Sequence, residues 1–167
     1  KAIVWSSGKI LSAQSVMIPY AGTALQSGKK YNWQVKVWDN YGKTSSWSNT
    51  ASFKMGLLNA GDWKAKWIEA GFAEDSINRP AQYFRKPFSI DKKVKTATAY
   101  ITAHGMYEAQ INGKRVGDYY LTPGWTSYNN RLQYQVYDVT ELLNNGNNAV
   151  GVVTGMGWYR GYLAWDN

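Results

Sequence analysis

The sequence predicts an all-β protein made of two β-sandwich domains. Polar and apolar residues alternate along most of the chain, which places successive side chains on opposite faces of a strand. These runs are short and are separated by joints rich in Gly, Asn and Asp, while a helical spacing of apolar residues is nearly absent. The 167 residues include 44% hydrophobic side chains, nine Trp and thirteen Tyr, which are enough to build a core.

The first clear strand pattern covers residues 31–38 and places every second side chain, from Tyr31 to Val37, on one half-buried face. Residues 39–42, Asp-Asn-Tyr-Gly, are predicted to turn the chain. Another strand follows at residues 51–55. Alternation then lapses over residues 56–62, so we predict domains of residues 1–58 and 59–167.

In the second domain, strand patterns occur at residues 96–103 and 107–111. The latter runs directly into Asn112-Gly113, a strong hairpin signal because both central residues of a type I′ turn need positive φ. Later strands are predicted around residues 134–136 and at 149–154. The predicted turn should therefore join two antiparallel strands.

One short helix is predicted near Asp138. Asp138 and Glu141 have the spacing of a capping box, in which each side chain satisfies a backbone N–H of the first turn. The Asn-Asn-Gly run at 144–146 ends this helix within two turns. Helix is thus expected only as a connector.

Composition excludes several kinds of site. The chain has no cysteine, which excludes disulfides, thiolate nucleophiles and Cys-ligated zinc, and its single histidine excludes a multi-histidine metal site. No run approaches the ~20 apolar residues of a membrane-spanning helix, and residues 1–11 lack the apolar core of a signal peptide. We expect no membrane partner, and a cysteine-free sequence leaves the compartment open.

The net charge of +8 raises nucleic acid as a partner. The basic residues, however, occur in short groups along the chain, which is typical of solvated turns and strand ends. We therefore expect no nucleic-acid partner. Single-stranded nucleic-acid binding stays an alternative because many aromatic residues accompany the charge.

Sequence motifs of common enzymes do not fit. Residues 155–161 resemble a dinucleotide fingerprint whose third glycine is one place late, and residues 22–29 resemble a P-loop with one residue too many. His104 lacks the partners of a catalytic triad and is interpreted as a structural or surface residue. A pair of carboxylates for glycoside hydrolysis stays open among four residues: Glu108, Asp118, Asp138 and Glu141.

Two loops, at residues 124–131 and 157–162, combine glycine, large aromatic rings and hydrogen-bonding side chains. A pyranose has an apolar face that packs on an aromatic ring and a rim of hydroxyls that needs polar partners. The candidate carbohydrate-binding residues are Trp125, Tyr128, Asn129, Asn130, Trp158, Tyr159 and Arg160. The alternative, with equal weight, is that Trp125 and Trp158 fill the core.

The second domain contains, in order, residues 81–88 (AQYFRKPF), 105–118 (GMYEAQINGKRVGD), 121–126 (LTPGWT), 137–143 (YDVTELL) and 155–159 (GMGWY). In order and spacing these segments resemble the jelly-roll-like N-terminal module of bacterial α-L-rhamnosidases of glycoside hydrolase family 78. The first domain contains VWSSGK at 4–9, the strand at 31–38, WS at 47–48 and FKMGLL at 53–58. It resembles the fibronectin type III-like, immunoglobulin-like domain that precedes that module.

The resemblance implies a bacterial, carbohydrate-metabolising enzyme in which an acidic pair of a large (α/α)6 barrel hydrolyses terminal α-L-rhamnosides. Because no helical region here could form that barrel, we expect a non-catalytic fragment that has no catalytic residue of its own. Its expected roles are scaffold and carbohydrate-binding module. Its expected partners are rhamnose-containing glycans and the remaining domains of the parent enzyme.

The resemblance also implies that both sandwiches are truncated, so exposed strand edges are expected to pair two copies into a homodimer. Related modules bind rhamnose through calcium, which takes oxygen ligands. By chemistry alone, the residues offered for calcium are Asp118, Asp166 and Asn167. No other cofactor is required, and an active carboxylate pair within the sandwich is the rival, catalytic hypothesis.

Overall fold

The computed structural model describes residues 2–161. The chain forms two compact units, one ending at Trp67 and the other beginning at Ile68. Strands dominate both units, and the helices of the described residues are two 3-10 turns and one helix of four residues, α1 (Gly157–Arg160). The all-β prediction is confirmed. Within residues 2–161, no helix is long and apolar enough to cross a membrane.

The first unit contains an antiparallel pair, β1 (Lys30–Trp33) and β2 (Ala51–Lys54). Tyr31 of β1 stacks on Phe53 of β2, with ring centroids 5.7 Å apart. The predicted turn after residue 38 is confirmed. Asp39 Oδ1 accepts hydrogen bonds from the N–H groups of Tyr41 and Lys43 at 2.9 and 2.8 Å, which closes the turn.

The predicted half-burial of the 31–38 face is wrong beyond Tyr31. Trp33, Val35 and Val37 are 50–62% exposed. Past β1 the chain pairs irregularly, since the N–H groups of Val35 and Val37 donate to serine side chains instead of to a strand backbone. An amphipathic strand buries its apolar face only where a second layer covers it, and no second sheet covers this face among the residues described.

The second unit has six strands: β3 (Gln82–Ile90), β4 (Thr98–Ile101), β5 (Met106–Ile111), β6 (Lys114–Arg115), β7 (Gln135–Asp138) and β8 (Gly146–Gly155). Four of them form an antiparallel sheet in the order β3-β8-β5-β6, and β4 pairs with β7 in a second sheet. Strands that are neighbours in space are therefore mostly distant in sequence.

The core of the second unit lies on the inner face of β5. Tyr107, Ala109 and Ile111 are buried, whereas the intervening Glu108 and Gln110 are exposed, as the alternation predicts. The buried set is completed by Ala103, Val116, Tyr137 and Val139. β7 begins at Gln135, one residue later than the predicted 134–136 segment, and within it Tyr137 is buried whereas Val136 is exposed.

The predicted Asn112-Gly113 hairpin turn is confirmed. The two residues have φ values of 52° and 76°, as a type I′ turn requires, and Ile111 pairs with Lys114 across it. The Asn112 side chain also holds the turn against the rest of the unit. Its Nδ2 donates to Leu142 O at 2.9 Å, and its Oδ1 accepts from the Ala149 N–H at 2.9 Å.

The predicted helix near Asp138 is only a 3-10 turn, Thr140–Leu142, and its N-cap is Val139. Asp138 Oδ1 accepts from the Thr140 N–H at 3.0 Å, but Glu141 makes no capping hydrogen bond. The predicted capping box is therefore wrong. Tertiary pairing limits the helix, because β7 includes Asp138 and β8 begins at Gly146, so that only residues 139–145 connect the two strands.

Candidate functional site

The first candidate loop, residues 124–131, lies within the segment of residues 121–133, which is called the aromatic loop below. Its start is held to β5 by a reciprocal pair of hydrogen bonds, because the Tyr107 N–H donates to Thr122 O and Thr122 Oγ1 donates to Tyr107 O, both at 2.8 Å. Gln135 Nε2 also donates to Pro123 O at 3.0 Å. Tyr107 is buried at the same place, and burial raises its pKa, so its hydroxyl stays protonated and donates to Gln135 Oε1 at 3.0 Å.

The rest of the aromatic loop is also closed by hydrogen bonds. Thr126 Oγ1 donates to Arg131 O at 2.7 Å, and Thr102 Oγ1 donates to Gln133 O at 2.7 Å. Between these anchors Trp125 is 58% exposed. Trp125 is therefore not a core residue, and it presents its indole from a loop whose two ends are fixed.

The two candidate loops meet at an aromatic cluster formed by His104, Tyr128 and Tyr159. Tyr128 and Tyr159 make an edge-to-face contact with centroids 5.4 Å apart, and Tyr159 lies against the His104 ring at 4.5 Å. The Tyr128 hydroxyl is buried and has no hydrogen-bond partner among residues 2–161. Burial raises the pKa of Tyr128, so this hydroxyl remains a neutral donor.

A close backbone approach brings the cluster together. Gly105 has φ +89°, and a Cβ at this position would lie 2.3 Å from Gly155 O. Only glycine allows both the left-handed conformation and the contact. His104 is thereby placed beside the segment that leads into α1, which carries Tyr159.

The remaining candidates have different environments. Trp158 is half-buried, Asn129 is exposed, and Asn130 Nδ2 donates to Ser127 Oγ at 2.9 Å. Arg160 forms an ion pair with Glu74, so its guanidinium is already engaged by a protein carboxylate. The structure thus places Tyr128 in contact with Tyr159, whereas Arg160 pairs with Glu74.

The sequence does not indicate two contacts of this region. His104 is exposed, in agreement with its interpretation as a structural or surface residue, but its ring contact with Tyr159 joins distant parts of the chain. The Glu74 partner of Arg160 lies 86 residues away in sequence and carries no local signal. The Gly105 that follows His104 is the one hint in the sequence, because glycine marks sites of close backbone approach.

The residues offered for calcium are not assembled by the described part of the chain. Asp118 is exposed, and no three His, Cys, Asp or Glu side chains within residues 2–161 are grouped to hold a metal ion. Asp166 and Asn167 lie outside the described residues.

The four candidate carboxylates are all exposed. Glu108 lies 3.5 Å from Arg115, and Asp138 accepts from the Thr140 backbone and hydroxyl. Asp138 and Glu141 both line a cavity of about 440 Å³ that also includes Arg115. Each carboxylate is thus solvated or engaged locally.

Comparison with known proteins identifies both units. Residues 92–167 match the family model of the alpha-L-rhamnosidase N-terminal domain, and residues 1–59 match that of the Rha78A-like, N-terminal immunoglobulin domain. An alpha-L-rhamnosidase of Formosa agariphila is 44% identical over 97% of this chain, and one of Alteromonas sp. is 39% identical over 96%. The chain spans 18% of the length of each of these relatives.

Two solved structures are also similar. The alpha-L-rhamnosidase of Dictyoglumus thermophilum is 42% identical, with a TM-score of 0.85 over 94% of this chain and 19% of that protein. The alpha-L-rhamnosidase of Aspergillus terreus is 40% identical, with a TM-score of 0.76 over 93% of this chain and 18% of that protein. The chain therefore contains the two N-terminal domains that these models describe, and it is similar to the N-terminal region of α-L-rhamnosidases.

Proposed function

We propose that this chain is a non-catalytic N-terminal part of an α-L-rhamnosidase, where it serves as scaffold and binds rhamnose-containing glycans through the aromatic loop. The observation that carries the proposal is the 58% exposure of Trp125 on a loop anchored at both ends. An aromatic ring exposed from a backbone that hydrogen bonds hold in place presents a flat apolar face on which a pyranose can pack. The catalytic carboxylates would belong to the rest of such an enzyme.

Binding would use the two chemical halves of a pyranose. The indole of Trp125 packs against the apolar face of the ring, and the neighbouring Asn129 and Asn130 side chains supply amide groups for the hydroxyls. The loop is preorganised by its hydrogen bonds, so little conformational entropy is lost on binding. Affinity for a monosaccharide should still be weak, since even very efficient small ligands gain at most about 1.5 kcal/mol per non-hydrogen atom.

Calcium is a subordinate part of the proposal. The ion needs about six to eight oxygen ligands. Of the residues offered for it, Asp118 alone is described, and within residues 2–161 it is exposed and belongs to no group of three His, Cys, Asp or Glu side chains. A calcium site would therefore need further oxygen ligands beside Asp118, and Asp166 and Asn167 are proposed for that role.

Calorimetric titration with L-rhamnose tests the sugar proposal. We expect weak binding that Trp125→Ala reduces about ten-fold, the effect of losing one aromatic platform. Tyr83→Ala is the matched control, because Tyr83 is also an exposed aromatic but lies on β3 outside the loop. Repeating the titration with a chelator tests calcium. Absence of binding, or equal loss in both variants, would refute the sugar site and leave the scaffold role.

The rival catalytic hypothesis has its own assay. Release of the aglycone from an aryl α-L-rhamnoside by this chain would establish it, provided that Asp138→Asn and Glu141→Gln abolish the activity. We expect no turnover, since the two side chains are solvent-exposed. A general acid needs a raised pKa, which burial normally supplies.

A further inference from the structure

The net charge of the protein is concentrated in one unit. Residues 1–67 contain nine lysines, no arginine, two aspartates and no glutamate, which gives a net charge of +7 out of +8 for the whole chain. Residues 68–167 contain ten basic and nine acidic residues and are nearly neutral. Both aspartates of the first unit are occupied by local hydrogen bonds, Asp39 in its turn and Asp62 with Asn59 and Ser27.

Two of these lysines, Lys9 and Lys36, lie near tryptophan rings of the segment of residues 35–48. Lys36 Nζ lies 5.7 Å from the Trp38 ring centroid and 5.9 Å from that of Trp47, and Lys9 Nζ lies 5.3 Å from Trp38. These four residues are called the Lys–Trp face. Trp47 is 61% exposed and remains open to a ligand, whereas Trp38 is 37% exposed and has both ammonium groups over its ring.

We propose that the Lys–Trp face binds an anionic polysaccharide, that is, a chain of pyranose rings that carry carboxylate or sulfate groups. An indole takes the apolar face of a pyranose, and an ammonium group next to that indole pairs with an anionic substituent of the same or the next ring. The Lys36 ammonium group lies near both indoles, so one cation can pair with an anionic group of a sugar that packs on the exposed Trp47 ring. The surrounding charge of +7 attracts a polyanion and raises the rate of encounter. The Lys–Trp face belongs to the first unit and the aromatic loop to the second, so this proposal does not rest on the rhamnose site.

The side-chain chemistry favours a polysaccharide over a nucleic acid. Base edges are read most often by the planar, bidentate guanidinium of arginine, and the first unit contains no arginine. Lysines act as point charges, which suits anionic groups spaced along a sugar chain. Single-stranded nucleic acid is therefore an outcome of the test and not the proposed ligand.

Affinity electrophoresis of the full chain tests the proposal, with polygalacturonate, dextran sulfate, neutral dextran and a single-stranded thymidine oligonucleotide in separate gels. We expect retention by the anionic polysaccharides at low salt, release as salt rises, and no retention by dextran. Trp47→Ala should weaken binding about ten-fold and Lys36→Gln about three-fold. Lys66→Gln is the matched control, because it removes the same charge from an exposed lysine of this unit. It should leave the affinity unchanged.

Equal weakening by Lys36→Gln and Lys66→Gln would mean diffuse charge binding and would overturn the proposal, as would tighter retention by the oligonucleotide than by either polysaccharide. Retention by polygalacturonate, by dextran sulfate or by both, with the expected order of variants, supports it and identifies the anionic group. Circular dichroism of each variant confirms that the strands persist. Lys36→Gln keeps most of the side-chain stem, so it separates loss of charge from loss of fold.

Discussion

Replacing Asn148 with alanine should destabilise the second unit more than any exposed substitution near it. Asn148 is only 5% exposed, although its side chain is polar. Its Oδ1 accepts from Asn112 Nδ2 and from the Asn144 N–H, both at 2.8 Å. Its Nδ2 donates to Asn144 O at 2.9 Å and to Gly146 O at 2.8 Å. One side chain therefore ties the start of β8 to the 112–113 turn.

The expected cost follows from these four hydrogen bonds. At about 1 kcal/mol of net stabilisation for each bond, the upper value is about 4 kcal/mol. Part of this loss is offset, because Asn112 Nδ2 keeps its bond to Leu142 O and the exposed Asn144 backbone can bind water. We therefore expect Asn148→Ala to lower the free energy of unfolding by about 2 to 3 kcal/mol.

Urea unfolding followed by circular dichroism of the strand signal measures this free energy. Asn147→Ala is the matched control, because the neighbouring Asn147 is exposed and should change stability by less than about 0.5 kcal/mol. Hydrogen exchange of the Asn144 amide, which loses its acceptor, should accelerate in Asn148→Ala alone. A cost below about 1 kcal/mol, or one equal to that of Asn147→Ala, would refute the reasoning.

Three further predictions concern titration, backbone strain and association. Tyr107→Phe should remove a loss of stability at alkaline pH. Burial raises the pKa of Tyr107 in the folded state above the ordinary 10.0, so the unfolded chain loses the hydroxyl proton first and the free energy of unfolding falls as pH rises beyond that value. Urea midpoints at about pH 9 and about pH 11 measure this. Gly105→Ala should lower the free energy of unfolding by about 3 kcal/mol or more, because the alanine Cβ would lie 2.3 Å from Gly155 O at a φ of +89°. An unchanged midpoint of thermal unfolding would contradict this. Sedimentation should show a dimer formed through exposed strand edges and strengthened by salt, which screens the +7 charge of the first unit; a monomer at all concentrations would contradict this.

The candidate site was predictable in its components but not in its arrangement. Glycine-bearing loops with aromatic residues indicated that some rings face solvent, and the exposure of Trp125 and Tyr159 agrees with this. The edge-to-face contact of Tyr128 with Tyr159 joins residues that are 31 positions apart, and it depends on the backbone approach at Gly105. The ion pair of Arg160 with Glu74 depends likewise on long-range placement. Local sequence patterns do not indicate which residues far apart in the chain will come into contact.

The sequence by itself determined the local elements of this protein. Alternation specified the buried face of β5, because the pleat of a strand sends successive side chains to opposite faces. Asn112-Gly113 specified the hairpin, because few other residue pairs adopt positive φ twice in succession. The tertiary structure alone decided which alternating faces are buried. Val35 and Val37 have the same pattern as Tyr107 and Ala109 but stay exposed, since burial requires a second layer and the strands that form it come from distant parts of the chain.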